Sequence, residues 1–198
     1  MRKALIVGFA PDWNDYPKDY EGEVWSLNMG GVMCERIDTL FLADKLEDKT
    51  SIKDGYYVPI FGDDKGKKVK IDEEKYKKII AERGIKVISC HPYDIPNLET
   101  YPIKEVVETF GSDYFANTIC YMIAYAILKG YEEIELWGVR QGLMTEYMFH
   151  KGCIEFWIGM AVGHGVNVRI MGDSLVLRTP DGRLYGYKKT IEELLNKE

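Results

Sequence analysis

The stretch from Tyr114 to Val139, YFANTICYMIAYAILKGYEEIELWGV, constrains the fold more than any other. Ile119, Met122, Ile123, Ala126 and Ile127 recur at helical spacing, which makes one face of a helix apolar. Tyr121, Ala124 and Tyr125 keep the other faces fairly apolar, so the helix must be covered by the rest of the protein. Gly130, behind Lys129, supplies the positive-φ residue at which such a helix stops. Ile134 to Val139 then reads as a short buried strand. A helix, a tight turn and a buried strand are half of a parallel α/β unit, because parallel strands need a crossover between them.

The head of that helix bears on function. Ser112, Asp113, Asn117 and Thr118 lie where it must begin, and each can cap free backbone N–H groups. Capping is the commonest use of such residues. Uncapped, the same N–H groups and the helix dipole would favour an anion.

At 198 residues the chain reads as one domain, residues 1–198, of a nucleotide-binding α/β type. With 46% hydrophobic and 29% charged residues it is a soluble globular composition, and no apolar run is long enough to span a bilayer. The apolar run at the start meets Pro11 and Asp12 too soon for a secretory signal, so a cytoplasmic location without membrane partners is expected. Cys34, Cys90, Cys120 and Cys153 form no C-x-x-C pair and read as packing cysteines of a reducing compartment. A net charge of −6 argues against general nucleic-acid binding. The 14 tyrosines and 4 tryptophans hint at self-association, so a homo-oligomer is among the expectations.

Lys3 to Val7 is predicted as the first strand, and GFAPDW follows it. Strand, glycine and loop are the opening of nucleotide-binding α/β folds, although the G-x-G-x-x-G fingerprint is absent. Gly8 lets the chain turn, and the turn through Phe9, Ala10, Pro11 and Asp12 directs backbone N–H groups toward a ligand. Glu23 to Met33 is predicted as a short helix interrupted by Gly30 and Gly31. Within it, Asn28 is either a satisfied core or turn residue or a contact to a base or ribose.

Further strands are predicted at Ile37 to Ala43, Ile85 to Ser89 and Val166 to Met171, and a β-rich excursion at Ser51 to Lys70. Helices are predicted at Asp72 to Arg83 and Phe149 to Val162, with a helical turn at Lys104 to Phe110 in an otherwise looped Tyr93 to Ser112. Ser174 to Leu177 and Leu184 to Tyr187 flank T-P-D-G-R, a hairpin signal, and a short helix ends the chain. The expected architecture is a three-layer, Rossmann-like α/β fold with a mostly parallel sheet of about five strands, a C-terminal β-hairpin and a terminal helix.

Ligands of such sheets bind at the carboxyl ends of the strands. His91 follows one strand there, and Arg140 to Glu146 reads as a loop after another. His150 stands beside Lys151 facing the same edge, and a histidine is the usual proton acceptor near neutral pH. His91, Arg140, Glu146, Tyr147 and Lys151 are candidates for substrate contact.

The segment FANTICYMIAYAILKGYEEIELWGV resembles one in bacterial lipooligosaccharide sialyltransferases. There a Thr-Ser-Gly turn opens a helix rich in Met and Ala, and a Gly-Tyr turn leads to a strand ending Gly-Ile-Asp. Gly8 to Asp12 is similar to that family's Gly-Asn-Gly-Pro-Ser loop, Asn28 to an asparagine shortly downstream, and Asp38 to Phe41 to its D-x-x-F strand. The same order of motifs resembles small phage proteins of unsettled function. The helix and strand look more distantly like archaeal-type hydroxymethylpterin pyrophosphokinases.

The resemblance implies a transferase with a nucleotide or nucleotide-sugar as substrate or ligand and no further cofactor; such a site needs no metal if backbone amides and a helix dipole stabilise the leaving phosphate. Gly8, Phe9, Ala10, Pro11, Asp12, Asn28, Asn117 and Thr118 would hold the nucleotide, and His150, matching in order the family's general base, would be catalytic. Arg140 stands where the family has an acidic residue, and Ala116-Asn117-Thr118 replaces its Thr-Ser-Gly. A non-catalytic binder of a nucleotide-derived molecule is the alternative. A pyrophosphokinase-like transferase, with Mg²⁺ on carboxylates such as Asp12 and Asp44, is the third reading.

Overall fold

The computed structural model describes residues 1–46, 56–57, 67, 69–141 and 145–195, with 56–57, 69, 145–147 and 180 described by backbone alone. The chain opens on β1 (Lys3–Val7), followed by β2 (Glu23–Leu27), α1 (Gly30–Met33) and β3 (Thr39–Leu42). β4 (Tyr56–Tyr57) and β5 (Val69–Lys70) pair antiparallel; apart from Lys67, the rest of the predicted excursion lies outside the described residues. Then come α2 (Glu73–Glu82), β6 (Lys86–Ser89), β7 (Leu98–Thr100) and α3 (Ile103–Phe110). The constraining stretch forms α4 (Thr118–Leu128) and β8 (Glu133–Trp137), and α5 (Thr145–Gly163), β9 (Asn167–Ile170) and α6 (Ile191–Leu195) complete the order.

Seven strands form one sheet in the order β7-β6-β3-β2-β1-β8-β9, and every described pairing in it is parallel. The expectation of about five strands is therefore corrected. β2 occupies residues assigned above to a helix, and only the G-G-V-M that follows is helical. β2 lies between β1 and β3 and buries Val24, Trp25 and Ser26 consecutively, so the alternation that betrays a half-buried strand is missing. β7, three residues long at the sheet edge, sits in the stretch read as loop.

The predicted hairpin is absent. Its turn forms, with Asp181 and Gly182 at φ 59 and 65, but the flanking residues make no strand pair. Tyr185 and Tyr187 stand largely exposed, so the tail has no core face to lie on, and an isolated hairpin is marginal without one.

The winding sets the layers. From β1 the chain steps through β2, β3 and β6 to β7 in one direction, and α1 and α2 cover one face. α3 and α4 then carry it back across the sheet to β8, and right-handed crossovers put α4 and α5 on the other face. Alternate strand residues serve the two cores: Ala4 and Ile6 meet α4 and α5, whereas Leu5 and Val7 join Tyr76 and Ile80 of α2. β8 departs from this rule. Its Glu133 and Glu135 are buried, and Arg169 reaches both at 2.8 and 2.7 Å, as buried charges require. Among the described residues no helix is long and apolar enough to cross a membrane.

Tyr16, in the connection from β1 to β2, is buried and its hydroxyl donates to the Arg36 carbonyl at 2.9 Å. Burial is the main cause that pushes it from 10.0 up to about 12. The folded state thus holds this proton more tightly than the unfolded chain. The stability it contributes is complete below pH 10 and is lost as pH rises toward 12. Melting temperature recorded across that interval is expected to fall, and Tyr16→Phe to flatten part of the fall.

Candidate active site

The direction of winding reverses between β1 and β8 while the strands stay parallel, so the turns after β1 and β8 diverge toward opposite faces and leave a crevice. Two glycines bring these turns together at its floor. The Gly8 amide donates to the Trp137 carbonyl at 2.7 Å and the Ala10 amide to the Gly138 carbonyl at 2.8 Å. A Cβ on Gly8 would lie 2.5 Å from the Gly138 oxygen, and Gly138 itself holds φ +62 against the Trp13 backbone. No side chain fits at either place.

The opposite wall is the head of α4. Trp157 of α5 donates its Nε1–H to the Tyr114 carbonyl at 2.7 Å, and Phe115 stacks on the Trp157 ring at 4.9 Å. These contacts fix the segment that leads into the helix. Asn117 is the N-cap, its Oδ1 accepting from the Cys120 amide at 3.2 Å, while its Nδ2 reaches the His150 carbonyl at 3.4 Å. Capping and anion binding are therefore not exclusive here. Asn117 engages the third amide of the helix, and the first two, of Thr118 and Ile119, have no acceptor among the described residues. Asn117→Ala is expected to cost about 1 kcal/mol through the lost cap, read as a lower denaturant midpoint.

Between these walls lies a cavity of about 700 Å³. Gly8, Phe9, Ala10 and Pro11 line it from the β1 turn, and Asn28 and Asp44 from the ends of β2 and β3. Thr118 and Ile119 line it from α4, Gly138, Arg140 and Gln141 from the β8 turn, and His150 from α5. The β1 turn offers less than its sequence suggested. Ala10 has engaged its amide and Pro11 has none, so the amides of Phe9 and Asp12 are the ones without an acceptor among the described residues. Arg140 brings a guanidinium to the rim, held 3.2 Å from the Asp173 carboxylate.

Three predicted contacts lie elsewhere. The Asp12 carboxylate accepts from the Asp173 amide at 3.2 Å and does not line the cavity. His91 follows β6, three strands from β1, and its amide donates to Ser89 Oγ at 3.0 Å. Lys151 is paired with Glu155. Glu146 falls inside α5 and not in a loop, and the side chains of Glu146 and Tyr147 lie outside those described.

Asp44 and Gln141 are lining residues that sequence reasoning did not place in the nucleotide site; their one signal was position just past a strand. Near Asp44, burial and then that carboxylate push the Cys90 thiol up to about 11, which keeps it neutral and a poor nucleophile near neutral pH. Among the described residues no three of His, Cys, Asp or Glu gather as a metal-ligand group.

No family model matches the chain, and no curated protein matches it significantly in sequence. Solved structures do match its backbone. CstII, a sialyltransferase from Campylobacter jejuni in complex with the substrate analogue cytidine-5'-monophosphate, has a TM-score of 0.52 at 15% identity, covering 88% of this chain and 82% of that one. The fold is sialyltransferase-like. The same enzyme in complex with CMP-3FNeuAc gives 0.51 at 15% identity, over 86% and 80% of the two chains. At that identity the likeness is one of chain path, and the resemblance to small phage proteins gains no support from it.

Proposed function

We propose that this chain, one α/β domain over residues 1–198, is a cytoplasmic nucleotide-sugar-binding enzyme of the glycosyltransferase type, sialyltransferase-like and working without a metal. One observation carries the reading: residues with open amides at the β1 turn (Phe9) and at the head of α4 (Thr118, Ile119) line one crevice. Paired amides and a helix dipole suit a phosphate and stabilise it as a leaving group. Asn28 would contact the base or ribose, and Arg140 would add charge at the rim.

In the reaction, an acceptor hydroxyl oxygen bonds to the sugar's anomeric carbon as the bond from that carbon to the phosphate oxygen breaks. The nucleotide leaves with the electron pair, and the His150 ring takes the hydroxyl proton. The CMP and CMP-3FNeuAc complexes of the similar sialyltransferase fold support cytidine nucleotides as the first ligands to try.

A thermal-shift panel of CMP, CDP, UDP-sugars, ATP and NAD, with and without Mg²⁺, tests the proposal. Stabilisation by cytidine nucleotides without Mg²⁺ is expected; no shift with any nucleotide would overturn it. Arg140 at the rim, in place of the acidic residue of the resembled family, favours a second reading, a binder that leaves its ligand unchanged. The pyrophosphokinase reading fits less well, since Asp12 turns to Asp173 and away from Asp44's cavity.

A further inference from the structure

Two side chains on the cavity wall share an unusual state. Asn28 and Gln141 are held at left-handed backbone, φ 46 and 52, which residues other than glycine seldom adopt. Each also buries a side-chain carbonyl oxygen, Oδ1 or Oε1, with no hydrogen-bond partner among the described residues. A buried acceptor left without a donor is costly, and strained backbone collects at ligand sites. Asn28 has engaged its other groups. Its amide donates to the Phe41 carbonyl at 3.2 Å, its own carbonyl accepts from the Tyr76 hydroxyl, and Nδ2 reaches Asp44 at 3.4 Å.

The two residues line the cavity on either side of the β1 turn. Asn28 follows β2 and Gln141 follows β8, and these strands are the two neighbours of β1. Adjacent strands lie about 4.8 Å apart, so the flanks are separated by roughly 10 Å across the sheet. Between them stands the open amide of Phe9 in the β1 turn. A phosphate seated there has an acceptor oxygen waiting on each side.

We infer that Gln141 is a specificity-determining ligand contact, its Oε1 accepting a hydrogen bond from a hydroxyl or N–H on the group attached beyond the phosphate. This rests on the nucleotide reading above and deepens it: Asn28 serves the nucleoside arm, Gln141 the second arm. A ligand with donors on both arms of a central phosphate, such as a nucleotide-sugar, satisfies both oxygens. A nucleoside monophosphate satisfies one.

Calorimetric titration of the full chain with CMP and with CMP-3FNeuAc tests this. Gln141→Met keeps the length and removes the acceptor. It is expected to weaken CMP-3FNeuAc about 5- to 10-fold, the worth of one hydrogen bond, and to leave CMP within about twofold. Gln141→Gly should do the same while the unliganded protein melts no lower, since glycine relaxes the left-handed backbone. Equal losses for both ligands, or no loss for either, would overturn the role of Gln141 and leave nucleotide binding standing. Failure of the unsubstituted chain to bind CMP would overturn the nucleotide reading and this role with it.

Discussion

Replacing His150 with alanine is expected to lower sugar transfer about 100- to 10,000-fold, the usual worth of a positioned general base, while CMP affinity stays within about twofold. The asymmetry follows from where His150 sits. It enters the cavity from α5, on a different element from the β1 turn and the α4 head that would hold the phosphate. Asn117 Nδ2 reaches its backbone carbonyl and not its ring, so removing the imidazole leaves that tie between helices in place. Rate and affinity measured on the same preparation separate the two readings. A catalyst loses rate and keeps affinity; a pure binder shows no transfer before or after the substitution. A parallel fall in both would instead mean that His150 supports the fold of the site.

Gly138→Ala is expected to destabilise the protein by about 2–5 kcal/mol, of which about 1–2 comes from a left-handed backbone on a residue with Cβ and about 1–3 from forced overpacking. The new Cβ would stand 2.7 Å from Trp13 Cβ and 2.8 Å from Trp13 Cα, and a main-chain atom cannot yield as a side-chain tip can. For a chain of this size that is a fall in melting temperature of roughly 4–20 °C. Gly165→Ala is the matched control. It shares the positive φ, +80, but its Cβ would meet nothing within 4 Å, so only the strain of about 1–2 kcal/mol applies. The difference between the two melts isolates the close approach that builds the crevice floor. CMP affinity should fall for Gly138→Ala and hold for Gly165→Ala, even well below both melting temperatures.

Local chemistry made much of the fold legible. The cap at Asp72 accepts from the Lys75 amide as its spacing implied, and α4 stops at Gly130, which holds φ +71. The strands called from apolar runs are present. What failed needed long-range information. β2 is ended by Asn28 at positive φ, where no glycine marks the break, so its apolar run merged with the helix behind it. The hairpin turn had the right residues, and only tertiary contact could have supplied the strands.

The site divides in the same way. Gly8, Asn117, Thr118 and His150 were readable from motif and order, and one cavity gathers them. Asp12 looked like their companion, yet its partner lies 161 residues away, at Asp173. Position relative to other strands decided the rest. His91 ends a strand as Gly8 does, but β2 and β3 stand between them.

The amides of Phe9, Thr118 and Ile119 are expected to grip one phosphate. An amide NMR titration of isotope-labelled protein with CMP, and with cytidine as the phosphate-free control, tests it directly. Those three signals should move together downfield with CMP and hardly move with cytidine. Equal shifts with both ligands, or CMP shifts gathered away from the β1 turn and the head of α4, would contradict it.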